Sequence, residues 1–305
     1  MVSSKLSDYP ESVTLVEVGP RDGLQNESRI LPTADKVKLI ELLTACGLKK
    51  IEIGSFVRAD RIPPLADTDK VATLLPPNAM VYSALIPNAR GLERAQEVGL
   101  SEVAIFMSVT ESHNRSNINR STGDALAGYQ VLVKQALAEG LRVRAYLSTV
   151  FGCPYEGAVS PEQVRPLVSA LLETGVYQVS LGDTIGIAHP LLIAEILEAL
   201  LPEAPIEALA LHLHDTRGTA LANALMGLQM GIRVFDTAVG GLGGCPYAPG
   251  ASGNLATEDL AYMLNAMGIE TGIDLNKLVQ ASHFLEKSLG KKLSSKYSQT
   301  IPPQE

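Results

Sequence analysis

Cysteine is scarce in this chain of 305 residues, which contains only Cys46, Cys153 and Cys245 and has no Cys-x-x-Cys pair. An odd number of thiols without such spacing argues against a disulfide framework and favours a reducing compartment. We therefore expect free thiols and a cytoplasmic location.

Long hydrophobic runs and a net positive charge are also missing. No apolar stretch is long enough to span a bilayer, and the first ten residues lack the apolar core of a secretion signal. The formal net charge of −8 argues against non-specific binding to nucleic acid, which depends on Lys and Arg. We therefore expect neither a membrane nor a nucleic acid as a partner.

The sequence does contain a repeating pattern of short apolar segments and longer segments of helical period. Hydrophobic residues make up 46% of the chain, which is enough for a large core. Predicted strands cover residues 13–18, 50–54, 80–85, 102–107, 142–149, 177–181, 209–215 and 233–239. Eight strand–helix repeats with mostly short connections predict an α/β protein, and they favour a (β/α)8 TIM barrel over a doubly wound sheet.

Two segments fall outside the repeats. Residues 257–267 predict the closing helix of the barrel and residues 276–289 an additional C-terminal helix. No linker separates a second domain, so we expect residues 1–305 to form a single catalytic domain with a helical extension from about residue 270. We expect a long polar loop at residues 108–122 and a loosely ordered tail at residues 291–305.

The most informative stretch is Leu209-Ala-Leu-His-Leu-His-Asp215, an apolar strand that ends in His-x-His. Alternate side chains of a strand share a face, so His212 and His214 project the same way. A single histidine there is commonly a hydrogen-bonded core residue, but two on one face can converge on a metal ion. Asp22 ends the first strand and would add a carboxylate, although Pro-Arg-Asp-Gly is also an ordinary turn sequence.

Further polar residues follow other predicted strands, where barrel enzymes place their catalytic groups. Arg21 offers a fork of donors to a developing oxyanion, and Glu52 would hold it, unless the two form only a structural ion pair. A glycine-rich loop at residues 240–254 carries Cys245, whose thiol would transfer a proton if it is not simply buried. Asn254 ends this loop and would add an amide oxygen to the metal.

These residues lie in motifs that resemble the 3-hydroxy-3-methylglutaryl-CoA lyase family. The motifs include Val16-Glu-Val-Gly-Pro-Arg-Asp-Gly-Leu-Gln-Asn-Glu27, Gly152-Cys-Pro-Tyr-Glu-Gly157, Ser180-Leu-Gly-Asp-Thr-Ile-Gly186 and Gly241-Leu-Gly-Gly-Cys-Pro-Tyr247. The barrel and the His-x-His strand are common to the wider superfamily of metallolyases and Claisen-type synthases. The Cys245 loop is what resembles the lyases in particular.

The resemblance implies specific roles for these residues. Asp22, His212, His214 and Asn254 would bind Mg or Mn, although ligand chemistry alone leaves Zn and Co open. Arg21 would stabilise an enolate, Glu52 would position Arg21, and Cys245 would transfer a proton. The catalytic set implied is Arg21, Cys245, Glu52, Asp22 and His212, and further substrate contacts are expected from Gln25, Tyr146, Asp183 and Thr184.

The implied reaction is the retro-Claisen cleavage of (S)-3-hydroxy-3-methylglutaryl-CoA to acetoacetate and acetyl-CoA, a step of leucine degradation and ketone-body formation. A related acyl-CoA lyase or Claisen-type synthase is the alternative within enzymes, and a metal-dependent binding protein without turnover is the alternative outside them. The pattern at residues 107–116 and the absence of a transit peptide suggest a bacterial cytoplasmic form. A homodimer is expected from the resemblance and from the frequency of dimers.

Overall fold

Eight parallel strands form a closed barrel in the computed structural model, which describes residues 9–76, 80–245 and 248–302, without the side chains of residues 245 and 248–252. Each strand pairs with the next along the chain, and the eighth pairs with the first. The (β/α)8 TIM barrel predicted from the repeats is therefore confirmed. The strands are β1 (Thr14–Glu17), β2 (Lys50–Ser55), β3 (Val81–Leu85), β4 (Glu102–Ser108), β5 (Arg142–Ser148), β6 (Gln178–Gly182), β7 (Leu209–His212) and β8 (Val234–Thr237).

One or two helices follow each strand of the barrel. They are α1 (Thr33–Ala45), α2 (Thr68–Leu74), α3 (Ala89–Glu97), α4 (Glu111–Ile118), α5 (Thr122–Ala138), α6 (Pro161–Glu173), α7 (Pro190–Leu200), α8 (Ala220–Gln229) and α9 (Thr257–Ala266). Two more, α10 (Leu275–Leu289) and α11 (Lys296–Gln299), follow the barrel, and α10 packs against α1 and α9. None of the helices in the described part of the chain is both long and apolar enough to cross a membrane.

The strands have two different faces, as β5 illustrates. Val143, Ala145 and Leu147 are buried in the main hydrophobic core, which the strands share with the surrounding helices. Arg144 and Tyr146 alternate with them and contact side chains of other barrel strands instead. Strands of a parallel barrel are usually apolar on both faces, so these polar residues indicate a specialised interior.

The prediction of a long loop at residues 108–122 was wrong, because this segment contains α4. The side chain of the buried Asn114 accepts a hydrogen bond from the Ser108 amide at 2.9 Å. It also donates to the carbonyls of Arg120 and Ser121, at 3.0 and 3.1 Å. These bonds fold the polar segment back on itself, a stabilisation that hydrophobic periodicity does not reveal.

The predicted loose tail was also wrong for residues 291–302, which include α11. Ser295 donates its hydroxyl to Asp259 at 2.8 Å, and the Tyr297 amide donates to the same carboxylate at 2.8 Å. Asp259 therefore anchors the segment to α9. Residues 303–305 of the expected tail lie outside the described part of the chain.

Candidate active site

Two histidines and an aspartate meet where the C-terminal ends of the barrel strands open. His212 is the last residue of β7 and His214 follows two residues later, with their ring centroids 5.3 Å apart. Asp22 lies in a short π-helical turn, Gly19–Gly23, directly after β1. Its Oδ2 atom is 3.9 Å from Nε2 of His212 and 4.0 Å from Nε2 of His214. The three side chains thus offer one ligand atom each within 4.8 Å of one another.

The alternating sequence of β7 and its close contact with α8 place the histidines. Leu209, Leu211 and Leu213 are buried in the core between strands and helices, so His212 and His214, which alternate with them, face the other way. Gly227 of α8 lies so close that a Cβ atom there would be 2.3 Å from Cδ1 of Leu211. A larger residue at position 227 would therefore push against the strand end that carries His212.

Asn254 completes the cluster from the far end of the glycine-rich loop. It forms an isolated bridge with His214, and its Nδ2 donates to Asp22 Oδ2 at 2.9 Å and to the Leu242 carbonyl at 3.1 Å. Within the described part of the chain, its buried Oδ1 has no hydrogen-bond partner, and neither has Nε2 of His214. Buried polar atoms are rarely left without a partner, so these two atoms suit a bound cation.

The protonation states of Asp22 and His214 also suit a cation. Burial alone would raise the pKa of Asp22, but Arg21 and the two histidines hold it well below its usual range. Burial lowers the pKa of His214 to about 4. At neutral pH the cluster therefore contains a carboxylate and a neutral imidazole, which are the forms that bind metal ions. The donor set fits a divalent cation.

Arg21 lies beside this cluster and is held from two sides. Its Nε donates to Glu52 and its Nη1 donates to Asp22, while its guanidinium lies 5.0 Å from the ring centroid of Tyr146. Burial alone would lower its pKa, but Glu52 and Asp22 raise it above its usual value. Arg21 is thus a fixed positive charge next to the candidate metal ligands, and Tyr146 donates a hydrogen bond to the same Glu52.

Two charged residues near the site were not predicted from the sequence. Asp236 of β8 has its Oδ2 atom 3.3 Å from Nδ1 of His212 and its Oδ1 atom 2.8 Å from Nη2 of Arg144. Burial alone would raise the pKa of Asp236, but Arg144 opposite it lowers it to about 2. The sequence feature that could have revealed them is a charged residue in the middle of a strand. This residue is Arg144 in Arg-Val-Arg-Ala-Tyr-Leu-Ser and Asp236 in Val-Phe-Asp-Thr.

The expected substrate contacts are distributed unevenly around the site. Asp183 follows β6, and its buried carboxylate accepts hydrogen bonds from the amides of Ile187 and Ala188. Burial raises the pKa of Asp183 to about 6. Thr184 accepts a hydrogen bond from the Thr149 amide at 2.8 Å. Gln25 is half-buried just after the turn that carries Asp22, and no hydrogen bond between described residues joins its side chain to the cluster.

Cys245 ends the short strand β9 (Gly244–Cys245), which pairs with β10 (Ala248–Ser252). The side chain of Cys245 lies outside the described part of the structure, so its expected role stays a prediction. The start of its loop is well anchored, because the Gly240 amide donates to both carboxylate oxygens of the buried Glu258.

A barrel that gathers these ligands beside a buried arginine at one rim has the architecture of a metal-assisted enzyme. The chain matches the HMGL-like family over residues 12–285 and belongs to that family. It is 53% identical over 294 residues to hydroxymethylglutaryl-CoA lyase YngG of Bacillus subtilis, an alignment that covers 96% of this chain and 98% of the relative.

Solved structures give the same result for the fold. The hydroxymethylglutaryl-CoA lyase of Bacillus subtilis superposes with a TM-score of 0.94 at 52% identity, covering 96% of this chain and 98% of that one. The lyase from Acinetobacter baumannii, solved in complex with coenzyme A and 3-methylmalate, superposes with a TM-score of 0.90 at 38% identity over the full length of both chains. The chain is thus an enzyme of a lyase family.

Proposed function

We propose that this protein cleaves (S)-3-hydroxy-3-methylglutaryl-CoA to acetoacetate and acetyl-CoA. The observation that carries the proposal is the convergence of Asp22, His212 and His214 within 4.8 Å, beside the buried Arg21, in a chain of this family. The close relatives named hydroxymethylglutaryl-CoA lyase and the relative solved with coenzyme A support a CoA thioester as substrate.

We further propose that Asp22, His212, His214 and Asn254 hold a divalent cation, Mg or Mn. When bound, such a cation orients oxygen atoms of the substrate and makes its tertiary hydroxyl more acidic. Asp22 supplies the negative charge of the set, the neutral His214 supplies a lone pair at Nε2, and Asn254 supplies its unpartnered Oδ1. Two imidazoles also suit Zn and Co, so the metal has to be identified by measurement.

In this proposal, Arg21 stabilises the negative charge that the reaction creates on the thioester oxygen. The hydroxyl passes its proton to solvent water, the bond between carbons 2 and 3 breaks, and its electron pair moves to the thioester as an enolate while acetoacetate forms; the proton that carbon 2 takes up afterwards is replaced from the same water. Glu52 and Asp22 engage two of the three guanidinium nitrogens of Arg21, which fixes its orientation. Preorganised donors of this kind are typically worth about 3–4 kcal/mol of transition-state stabilisation each. Cys245 then delivers a proton to carbon 2 of the enolate, which yields acetyl-CoA.

The remaining site residues shape the pocket in this proposal. Tyr146 is held against Glu52 and Arg144, so its ring forms a fixed wall beside Arg21 and His212. Asp183 and Thr184 lie on the loop after β6, next to the end of β7, where they would contact the substrate. Gln25 is proposed as a more peripheral contact. We also propose that residues 1–305 act as one catalytic domain with its C-terminal helices, as a cytoplasmic homodimer.

A coupled assay for acetoacetate, with the hydroxymethylglutaryl thioester as substrate, tests the proposed function. We expect acetoacetate release that stops with a chelator and returns with added Mg or Mn. Cleavage of a different acyl-CoA with no acetoacetate from this substrate would favour the related lyase or synthase instead. Metal binding without turnover of any thioester would favour a binding protein.

A further inference from the structure

A buried aspartate links the metal-ligand cluster to an ion pair inside the barrel. Asp236 is 1% exposed, and its two carboxylate oxygens point to different partners. Oδ2 lies 3.3 Å from Nδ1 of His212, on the side of the imidazole away from Asp22, and Oδ1 lies 2.8 Å from Nη2 of Arg144. The strand register places His212 and Asp236 side by side on β7 and β8.

The carboxylate of Asp236 is held in place from two sides. Besides Arg144, the buried Ser180 donates its hydroxyl to Oδ2 at 2.5 Å. Arg144 is itself fixed, because its Nε donates to Gln178 at 2.9 Å and its Nη1 donates to Tyr146 at 3.1 Å. A carboxylate with these contacts has little freedom to rotate away from His212.

A histidine that binds a cation through one ring nitrogen needs a proton on the other. A carboxylate near Nδ1 favours the tautomer in which Nδ1 carries the hydrogen, and this leaves a lone pair on Nε2. Nε2 of His212 is the atom that lies 3.9 Å from Asp22. Nδ1 of His212 has no hydrogen-bond partner among the described residues, which leaves it available to the Asp236 carboxylate 3.3 Å away.

We propose that Asp236 is a positioning residue for His212, and that Arg144 holds Asp236 in the orientation this role requires. Asp236 fixes the tautomer and the ring plane of His212 so that Nε2 faces the cation site. The inference rests on the proposed function in one respect only, namely that a divalent cation binds to Asp22, His212 and His214.

Metal affinity in the absence of substrate tests this role. The probe is Mn²⁺ titrated calorimetrically into full-length protein that has been freed of metal with a chelator. In Asp236→Asn, the amide oxygen will turn to Arg144, so the amide NH2 will face Nδ1 and stabilise the wrong tautomer. We expect the Kd for Mn²⁺ to rise about 10- to 100-fold, the usual effect of removing such a partner of a ligand.

Two further variants separate positioning from stability. Asp236→Val combined with Arg144→Met removes both charges together and leaves no unpaired buried charge, so the melting temperature should recover relative to Asp236→Asn. Affinity for Mn²⁺ should stay at least about tenfold weaker than in the wild type, because no acceptor faces Nδ1 of His212. Glu102→Gln is the matched control, since Glu102 is also a buried, ion-paired carboxylate but starts β4 at the opposite end of the barrel.

The Mn²⁺ affinities of these variants decide whether Asp236 positions His212. A weakened Mn²⁺ affinity in both Asp236 variants, with wild-type affinity in Glu102→Gln, supports the positioning role. A Kd within twofold of wild type in either Asp236 variant, or a double variant that regains affinity together with thermal stability, would overturn it. Failure of the proposed reaction is a separate result, because it would appear as wild-type protein that binds Mn²⁺ and releases no acetoacetate.

Discussion

Replacing Arg21 with lysine is the most direct test of how the site stabilises charge. Arg21→Lys keeps one positive charge at the same place but reduces three guanidinium nitrogens to one ammonium. In the structure, Nε is engaged by Glu52 and Nη1 by Asp22, and Nη2 has no hydrogen-bond partner among the described residues. Nη2 is therefore the donor that remains for the substrate.

The size of the effect follows from this geometry. A lysine ammonium at this position has to neutralise Glu52 and Asp22, and it cannot also direct a fixed donor at the thioester oxygen. Loss of one preorganised donor costs about 3–4 kcal/mol, so kcat should fall about 10²- to 10³-fold. The enolate charge exists chiefly in the transition state, so KM should change by less than about threefold.

Steady-state acetoacetate assays with saturating Mg measure kcat and KM separately. Arg94→Lys is the matched control, because Arg94 of α3 also pairs with a carboxylate, Asp69, through Nε and Nη2 but lies on the outer helical layer. Its kcat should stay within twofold of wild type. A rise in KM at unchanged kcat in Arg21→Lys would refute the reasoning and make Arg21 a contact for substrate binding alone.

Three further predictions concern the loop, the metal and the buried carboxylates. Cys245→Ala should lose most turnover and keep its affinity for Mn²⁺, and an unchanged kcat would remove Cys245 from the mechanism. Treatment with a chelator should abolish acetoacetate release, and activity that persists without metal would contradict the ligand assignment. Burial raises the pKa of Glu258 to about 8, so this carboxyl is protonated in the folded protein at neutral pH and ionised in the unfolded chain. Glu258 should therefore contribute a fall in stability of about 1.4 kcal/mol per pH unit as pH rises towards 8, and Glu258→Gln should reduce the slope measured in urea titrations by about this amount, while the slope from Glu17, whose pKa burial raises to about 7, remains.

The sequence was sufficient to predict the barrel and the shared orientation of the two histidines, because both depend on local periodicity. Alternation along the extended segment 209–214 puts His212 and His214 on one face whatever the rest of the chain does. The rule that parallel strands end at one rim then brings Asp22 near them, although it follows a strand almost two hundred residues earlier. The expected boundaries of β2 and β6 were within one residue at each end, since each is a short apolar run between turn residues.

Contacts that depend on register and on side-chain hydrogen bonds were not accessible in this way. The proximity of Asp236 to His212 requires knowing that these residues are neighbours on adjacent strands, which no pattern within either strand states. Helix α4 is tied to the end of β4 and to the segment after it by hydrogen bonds of the buried Asn114, which composition does not reveal. Both features are tertiary, so composition and periodicity carry no signal for them.

The polar interior of this barrel is better explained by positioning than by stability. The buried residues Arg144, Asp236, Glu52 and Arg21 form a connected set with Tyr146 on the axial side of the strands. Buried ion pairs seldom stabilise a fold more than well-packed apolar residues would, because desolvation offsets their attraction. The fold can tolerate this cost because the much larger hydrophobic core lies between the strands and the helices. What the polar set provides instead is a fixed orientation for Arg21 at one end and for His212 at the other, the two side chains on which the proposed chemistry depends.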